Sequence, residues 1–252
     1  SELGNVFRQV KQDLNNGLIV LFSGTPCQTA GLNSYIGHKR RERLFLVDIV
    51  CHGVPSPYIW RDYVDYLERV KGCEIIHADF REKKLLGWRE HKEAFRYACA
   101  QDDIEIRSNY TYLFYKHIMF RHSCEACKYT NLQRPSDVTL ADFWGWEKTH
   151  STANADDKGL SLVLCNTEKG VQLFDAVKER MNVFPVNLEN CMQPNLQHPS
   201  MMHKKRNQFE RDYTRKGFEY VMKRHGDMGW RYVVERYTKK FERAIKRLMK
   251  KR

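Results

Sequence analysis

Short apolar runs alternate with helix-like segments in the first part of the chain. Apolar residues at 18–23 and 44–50 predict two strands, and helices are predicted at 6–16, 28–35 and 58–70. Each strand leads through a loop into a helix, as in a βαβ unit. This order predicts an α/β fold in which a mixed β-sheet is flanked by helices.

The later part of the chain changes to shorter elements whose connections predict antiparallel pairing. We predict strands at 74–80, 94–100 and 103–107, a helix at 111–119, strands at 137–142 and 160–165, a helix at 168–181 and a short strand at 183–186. These elements complete the main domain, which we place at residues 1–198.

The remaining residues, 199–252, are set apart by their charge. Residues 201–252 hold 18 of the 43 Lys and Arg residues but only 6 of the 31 Asp and Glu residues, so the first 200 residues carry 25 of each. The net charge of +12 therefore belongs to the C-terminal segment. The main domain is not a polycationic surface, which makes it a poor candidate for nucleic-acid binding.

Within 232–249 the apolar residues recur at a helical spacing. They are Val233, Val234, Tyr237, Phe241, Ile245 and Leu248, with Lys and Arg between them. We therefore predict a basic helical C-terminal tail that packs its apolar stripe on the body. The alternative is docking onto nucleic acid, an anionic membrane or an acidic protein.

Hydropathy predicts no membrane span. The longest apolar runs are strand-sized, well short of the roughly 20 residues that cross a bilayer. Residues 1–10 lack the pattern of a signal peptide, so we expect a cytoplasmic protein. Because the sequence begins with Ser1 rather than Met, we also expect it to be part of a longer protein.

Four of the eight cysteines lie in loops whose setting suggests a chemical role. Cys27 and Cys51 follow the strands at 18–23 and 44–50, and open α/β sheets place ligands at the carboxyl ends of their strands. Cys124 and Cys127 form a Cys-x-x-Cys pair, whose spacing lets one turn aim both sulfurs at a metal. A redox dithiol is the alternative for this pair.

Together these four cysteines could complete one tetrathiolate site, which suits zinc or an iron–sulfur cluster. Structural zinc sites usually have two close Cys pairs, so the two single cysteines favour a cluster in a fold that holds a second cofactor. We interpret Cys73, Cys99 and Cys165 as packing residues because they adjoin apolar runs. Cys191 is assigned no role.

Several motifs, in order along the chain, resemble those of one family. They are Ser-Gly-Thr-Pro-Cys-Gln-Thr-Ala-Gly-Leu at 23–32, Val-Asp-Ile-Val-Cys-His-Gly-Val-Pro-Ser-Pro at 47–57, Phe80-Arg81-Glu82-Lys83, Gly87-Trp88, the Cys124/Cys127 pair, Arg134-Pro135-Ser136-Asp137 and Ala141-Asp142-Phe143-Trp144-Gly145. The family is the beta subunit of coenzyme F420 hydrogenase and dehydrogenase, which includes bacterial relatives fused to ferredoxin domains.

The resemblance implies an iron–sulfur flavoprotein in which a [4Fe-4S] cluster lies beside FAD. Carried over by motif, the cluster ligands are Cys27, Cys51, Cys124 and Cys127. The residues assigned to cofactor binding are Ser23, Gly24, Thr25, Gln28, His52 and Gly53. Trp88 and Trp144 are expected either to shield a cofactor or to belong to the core. No catalytic acid–base residue is assigned.

The resemblance therefore implies an oxidoreductase that passes electrons between a ferredoxin, or a fused ferredoxin domain, and a small-molecule substrate. Two alternatives remain open. One is a zinc-stabilised binding module whose basic tail contacts nucleic acid or an acidic partner. The other is a thiol enzyme in which Cys27 is a nucleophile at a helix N-terminus.

Overall fold

The structure is a computed structural model that describes residues 3–149, 152–226 and 234. Contacts divide the chain into two compact units, each made of several stretches. The first unit contains residues 1–57, 83–90 and 120–201, and the second contains residues 58–82, 91–119 and 202–252. The predicted domain boundary at residue 199 stays a prediction.

Helices and strands occur mostly where the sequence predicts them. The helices are α1 (Val6–Asn15), α2 (Pro26–Ile36), α3 (Pro57–Lys71), α4 (Lys83–Leu86), α5 (Asn109–Tyr115), α6 (Glu168–Asp175), α7 (Leu188–Cys191) and α8 (Arg206–Val221). The strands are β1 (Val20–Gly24), β2 (Leu44–Ile49), β3 (Ile75–Asp79), β4 (Glu93–Tyr97), β5 (Ala100–Arg107), β6 (Val138–Asp142) and β7 (Ser161–Cys165). The tail helix predicted at 232–249 lies outside the described residues, apart from Val234.

The first unit is built on a four-stranded sheet in the order β1-β2-β6-β7. β1 pairs parallel with β2, β2 pairs parallel with β6, and β6 and β7 are antiparallel. α1 and α2 bury apolar residues such as Val10 and Leu32 in one cluster with Leu46 of β2. The predicted α/β fold, a mixed sheet flanked by helices, is confirmed.

Trp88 belongs to a second buried cluster of the same unit. Its side chain is 1% exposed, its indole N–H donates to Asp142 Oδ1 at 3.2 Å, and its ring stacks on Trp144 with centroids 4.0 Å apart. A Cβ at Gly159, where φ is +94°, would lie 2.2 Å from the Trp88 ring, so glycine is required there. Trp88 is therefore a core residue.

The second unit contains the antiparallel sheet β3-β4-β5. Its core is aromatic and buries Tyr63 of α3, Phe95 of β4, Tyr110 of α5 and Phe209 of α8 together. α8 bends at Gly217, whose φ of 76° is not helical. Among the residues described, no helix has both the length and the apolar character needed to cross a membrane.

Two predicted elements differ in the structure. Residues 183–186 are not a strand, and instead they line an apolar cavity of about 590 Å³ together with β7. The helix predicted at 168–181 ends at Asp175, and a 3₁₀ turn follows at Lys178–Arg180. Residues 175–180 are all exposed, so they offer no apolar face to hold a longer helix on the body.

Of the three cysteines that we predicted to pack in the interior, Cys73 packs against the core of the second unit, whereas Cys99 and Cys165 are exposed. Cys73, after α3, and Cys99, between β4 and β5, are joined by a disulfide with Cα atoms 6.1 Å apart. Cys165, at the end of β7, is exposed. The prediction was wrong for Cys165 because successive side chains of a strand point to opposite faces. It was wrong for Cys99 because this residue lies in the exposed turn between two strands. Cys191, which received no role, is the buried cysteine.

One carboxyl group lies in the interior of the second unit. Glu93 is 0% exposed, its Oε1 accepts the backbone N–H of Thr111, and its Oε2 has no hydrogen-bond partner within the described ranges. Burial raises the pKa of Glu93, and the hydrogen bonds with Thr111 only partly oppose this. The folded chain therefore holds this proton to a higher pH than the unfolded chain does.

Replacing Glu93 by Gln should stabilise the fold at neutral pH. Glutamine keeps an acceptor for Thr111 and has no proton to lose. In the wild type, the stability that Glu93 contributes is complete below its unfolded pKa of about 4.3 and is lost as the pH rises through the raised folded pKa. Thermal unfolding measured between about pH 5 and pH 8 should show the advantage of E93Q growing with pH.

Glu105→Gln is the matched control in the same sheet. Burial acts there too, but the hydrogen bonds and charges of Lys71 and Arg107 outweigh it and lower the pKa of Glu105. E105Q should therefore lose stability at neutral pH, where the wild-type carboxylate is paired. A common response of both variants would contradict the burial argument for Glu93.

Candidate functional site

Two of the predicted cysteine ligands lie at the same edge of the first unit's sheet. Because β1 and β2 are parallel, their carboxyl ends meet at one edge. Cys27 lies in the first turn of α2, and Cys51 follows β2 by two residues. The start of α2 is capped, since the backbone N–H of Thr25 donates to the Gln28 side chain at 3.0 Å.

Backbone contacts bring the Cys-x-x-Cys segment to the loop after β2. Phe120 pairs with Pro55 in an isolated bridge, and the Arg121 N–H donates to the carbonyl of Val54 at 2.9 Å. The N–H of Val54 in turn donates to Cys124 Sγ at 3.4 Å. The two loops therefore lie directly against each other.

All four predicted ligands line one cavity of about 200 Å³. The other lining residues are Pro26, His52, Gly53, Val54, Ser123, Ala126, Lys128, Tyr129, Thr130, Asn195 and Ser200. The thiols come from three segments that are far apart in sequence. Only the fold brings them together.

The charge of the site depends on what occupies this cavity. Burial raises the pKa of the Cys51 thiol to about 11, the Gly53 N–H opposes the rise, and the sulfurs of Cys124, Cys27 and Cys127 add to it. Four thiolates around one cavity repel one another unless positive charge lies between them. Metal cations supply that charge, and their binding releases the thiol protons.

Backbone hydrogen-bond donors are directed at two of the four sulfurs, and a hydroxyl lies beside a third. The backbone N–H groups of Gly53 and Val54 donate to Cys51 and Cys124. The hydroxyl of Thr25 lies 3.2 Å from the sulfur in the first turn of α2. At Cys51 the Gly53 donor favours the thiolate, and the thiolate is the form that binds metal.

Gly53 has a geometric reason to be glycine. Its φ is +146°, and a Cβ at this position would lie 2.5 Å from carbon atoms of the buried Phe120 ring. The His52 ring lies edge-on to the same ring, with centroids 5.8 Å apart. The loop after β2 is therefore held tightly between the strand and the Cys-x-x-Cys segment.

Four thiols around one cavity form a donor set that suits either zinc or an iron–sulfur cluster. Within the described ranges, no three His, Cys, Asp or Glu side chains are grouped closely enough to hold a single ion. A zinc ion keeps its four ligands within about 2.0–2.3 Å of itself, whereas each of the four irons of a [4Fe-4S] cluster takes one cysteine.

The predicted cofactor residues divide into two groups. His52 and Gly53 line the cysteine cavity. The others, at the end of β1 and the start of α2, do not line it: Ser23, Gly24, Thr25 and Gln28. The cavity is also smaller than the roughly 300–1,000 Å³ of pockets for larger organic ligands, so a flavin does not fit inside it.

Three residues at the site received no role from the sequence. Asn195 and Ser200 line the cavity from a segment with no recognised motif, and the Ser200 hydroxyl donates to the His52 carbonyl at 2.6 Å. Arg134 donates to backbone carbonyls at the end of β2 and in the Cys-x-x-Cys loop. For Arg134, the only sequence signal of a role at the site was the family motif at 134–137. Nothing in the sequence pointed to Asn195 or Ser200.

Comparison with known proteins agrees with the motifs. Residues 18–187 match the family model for the C-terminal part of the coenzyme F420 hydrogenase/dehydrogenase beta subunit. No curated protein sequence matches the chain significantly.

Among solved structures, the chain resembles one in the F420-reducing [NiFe] hydrogenase complex from Methanosarcina barkeri, from a xenon derivatization study. The two are 14% identical with a TM-score of 0.41, and the match covers 69% of this chain and 54% of the other. This chain thus spans about half the length of that one, and a similarity of this degree carries no argument about function.

The family match covers more than half of the sequence and includes all four candidate cysteine ligands. The resemblance seen in the sequence is therefore confirmed. The chain belongs to the family of coenzyme F420 hydrogenase and dehydrogenase beta subunits, which are components of oxidoreductases.

Proposed function

We propose that the chain is an iron–sulfur flavoprotein that passes electrons between a ferredoxin-type partner and a small-molecule substrate. The observation that carries the proposal is the convergence of Cys27, Cys51, Cys124 and Cys127 on one cavity. Four thiols around one cavity are a donor set that suits a [4Fe-4S] cluster, and family membership supports a redox role.

The residues of the site have distinct tasks in this proposal. The four cysteines bind the irons, while the N–H groups of Gly53 and Val54 donate to two of the ligating sulfurs. Hydrogen bonds to sulfur and burial are the means by which a protein tunes the potential of such a site. When bound, the cluster supplies one-electron transfer and the flavin supplies transfer of an electron pair.

FAD is proposed on family membership, and the cysteine cavity does not hold it. Ser23, Gly24, Thr25 and Gln28 lie where β1 ends and α2 begins, and the positive end of a helix dipole at such a position favours anionic groups. His52 and Gly53 would then lie between the flavin side and the cluster side of the site. No catalytic step is assigned to these residues.

The surface beside the Cys-x-x-Cys pair suits an acidic electron-transfer partner. Arg121, His122 and Lys128 flank the pair in sequence and are exposed. Complementary charge mainly raises the rate of encounter between such proteins. A ferredoxin or fused ferredoxin domain would dock there, and the cytoplasm is the compartment we propose for the reaction.

The decisive experiment is a cofactor analysis of protein purified without oxygen or reconstituted with iron, sulfide and FAD. We expect about four irons and four sulfides per chain, and bound flavin. Iron and sulfide without flavin would support the cluster and reject the flavin. Stoichiometric zinc with no iron uptake would overturn the proposal and favour a zinc-stabilised module.

The ligand assignment is tested by Cys51→Ser, with Cys165→Ser as the matched control. C51S removes one of four thiolates and should lower the iron content to a small fraction of the wild-type value. Cys165 is exposed and does not line the cavity, so C165S should bind iron as the wild type does. Equal iron loss in both variants would contradict the assignment.

A further inference from the structure

Arg134 is buried beside the cysteine site but touches none of its thiols. Its side chain is 1% exposed and pairs with Asp48, which is 0% exposed, at 2.9 Å. Its Nε donates to Thr139 Oγ1 at 3.1 Å, and Thr139 donates to Asp48 at 2.6 Å. The guanidinium is thereby fixed on the sheet, between β2 and β6.

The same guanidinium donates to one backbone carbonyl at the end of β2 and to one in the Cys-x-x-Cys loop. Nη1 donates to the Tyr129 carbonyl at 2.6 Å, and Nη2 donates to the Ile49 carbonyl at 3.0 Å. Tyr129 lies two residues after Cys127, and Ile49 lies two residues before Cys51. The rigid, planar guanidinium of Arg134 therefore joins the end of β2, which leads to Cys51, to the loop that carries Cys127.

We propose that Arg134 is a positioning residue that sets the separation of Cys51 from Cys127. The inference rests on the proposed function, because it assigns Arg134 to the geometry of the cluster ligands. A lysine would keep the charge and the pairing with Asp48. Its single ammonium cannot reach both carbonyls in the fixed geometry of the guanidinium fork.

Arg41 provides a matched control at the other end of β2. It donates to the Leu44 carbonyl, at the start of β2, and pairs with the buried Asp137 at 2.9 Å. Both arginines thus join a buried aspartate to a strand carbonyl, but Arg41 lies at the end of β2 remote from the cysteines. Arg41→Lys should therefore destabilise the fold without changing the thiol geometry.

The first readout uses the metal-free chain and does not depend on a cluster. A short bifunctional thiol reagent is added, and the Cys51–Cys127 product is quantified by peptide mass spectrometry. Arg134→Lys should reduce the yield of this product several-fold relative to the wild type, whereas R41K should not. Equal yields in R134K and R41K would overturn the proposal.

The second readout is the rate at which a chelator removes iron from the reconstituted protein. Loss of a residue that orients metal ligands typically costs 10–100-fold in metal affinity, so R134K should lose iron roughly 10–100-fold faster than R41K. If the wild type takes up no iron and sulfide, the proposed function fails, and the cross-linking result still decides the role of Arg134.

Two double variants test the proposal if R134K does not fold. Arg134→Gln combined with Asp48→Asn removes both buried charges, so neither is left unpaired. Arg41→Gln combined with Asp137→Asn is its control. The same difference in cross-linking is expected between these pairs, and its absence would reject the positioning role.

Discussion

The parallel pairing of β1 with β2 is the constraint on which the cysteine site depends. Parallel strands end at the same edge of a sheet, so the loops after them must emerge side by side. Cys51 lies in the loop after β2, and Cys27 lies in the first turn of α2, directly after β1. An antiparallel pairing of the same strands would send the two cysteines to opposite edges, and no loop of ordinary length would bring them back together.

Gathering four thiols in one cavity has an electrostatic consequence. The raised pKa of Cys51 shows that burial and neighbouring sulfurs disfavour the thiolate. The backbone donor at Gly53 acts in the other direction. Cations in the cavity would supply the charge that balances a thiolate at Cys51. Metal-free protein is expected to keep the Cys51 proton, because that thiolate lacks a balancing charge.

The buried pair of Asp48 and Arg134 belongs to the same site. Buried ion pairs are weak evidence for stability, because desolvation of two charges offsets most of their attraction. Their value here is geometric. The arginine is held by Asp48 and Thr139 and can then donate to carbonyls at the end of β2 and in the Cys-x-x-Cys loop. An apolar pair of similar volume could fill the space but could not orient those segments.

Most of the strands could be predicted because their apolar runs are long enough to show strand periodicity. The runs at 18–23 and 44–50 became β1 and β2 with shifts of one or two residues. Residues 183–186 were mistaken for a strand because a short apolar segment has the same sequence pattern whether it pairs with a neighbouring strand or lines a cavity. The disulfide between Cys73 and Cys99 was not predicted, because their approach depends on how α3 ends relative to the β4–β5 turn.

The sequence by itself determined the α/β class, the four candidate cysteine ligands and the family, since these depend on local periodicity and on residue types at short spacings. The tertiary structure alone decided that the four thiols share one cavity with Asn195 and Ser200, and that Arg134 joins the end of β2 to the Cys-x-x-Cys loop. Those contacts join residues that are distant along the chain. Their proximity follows from sheet order and loop packing, which no local pattern encodes.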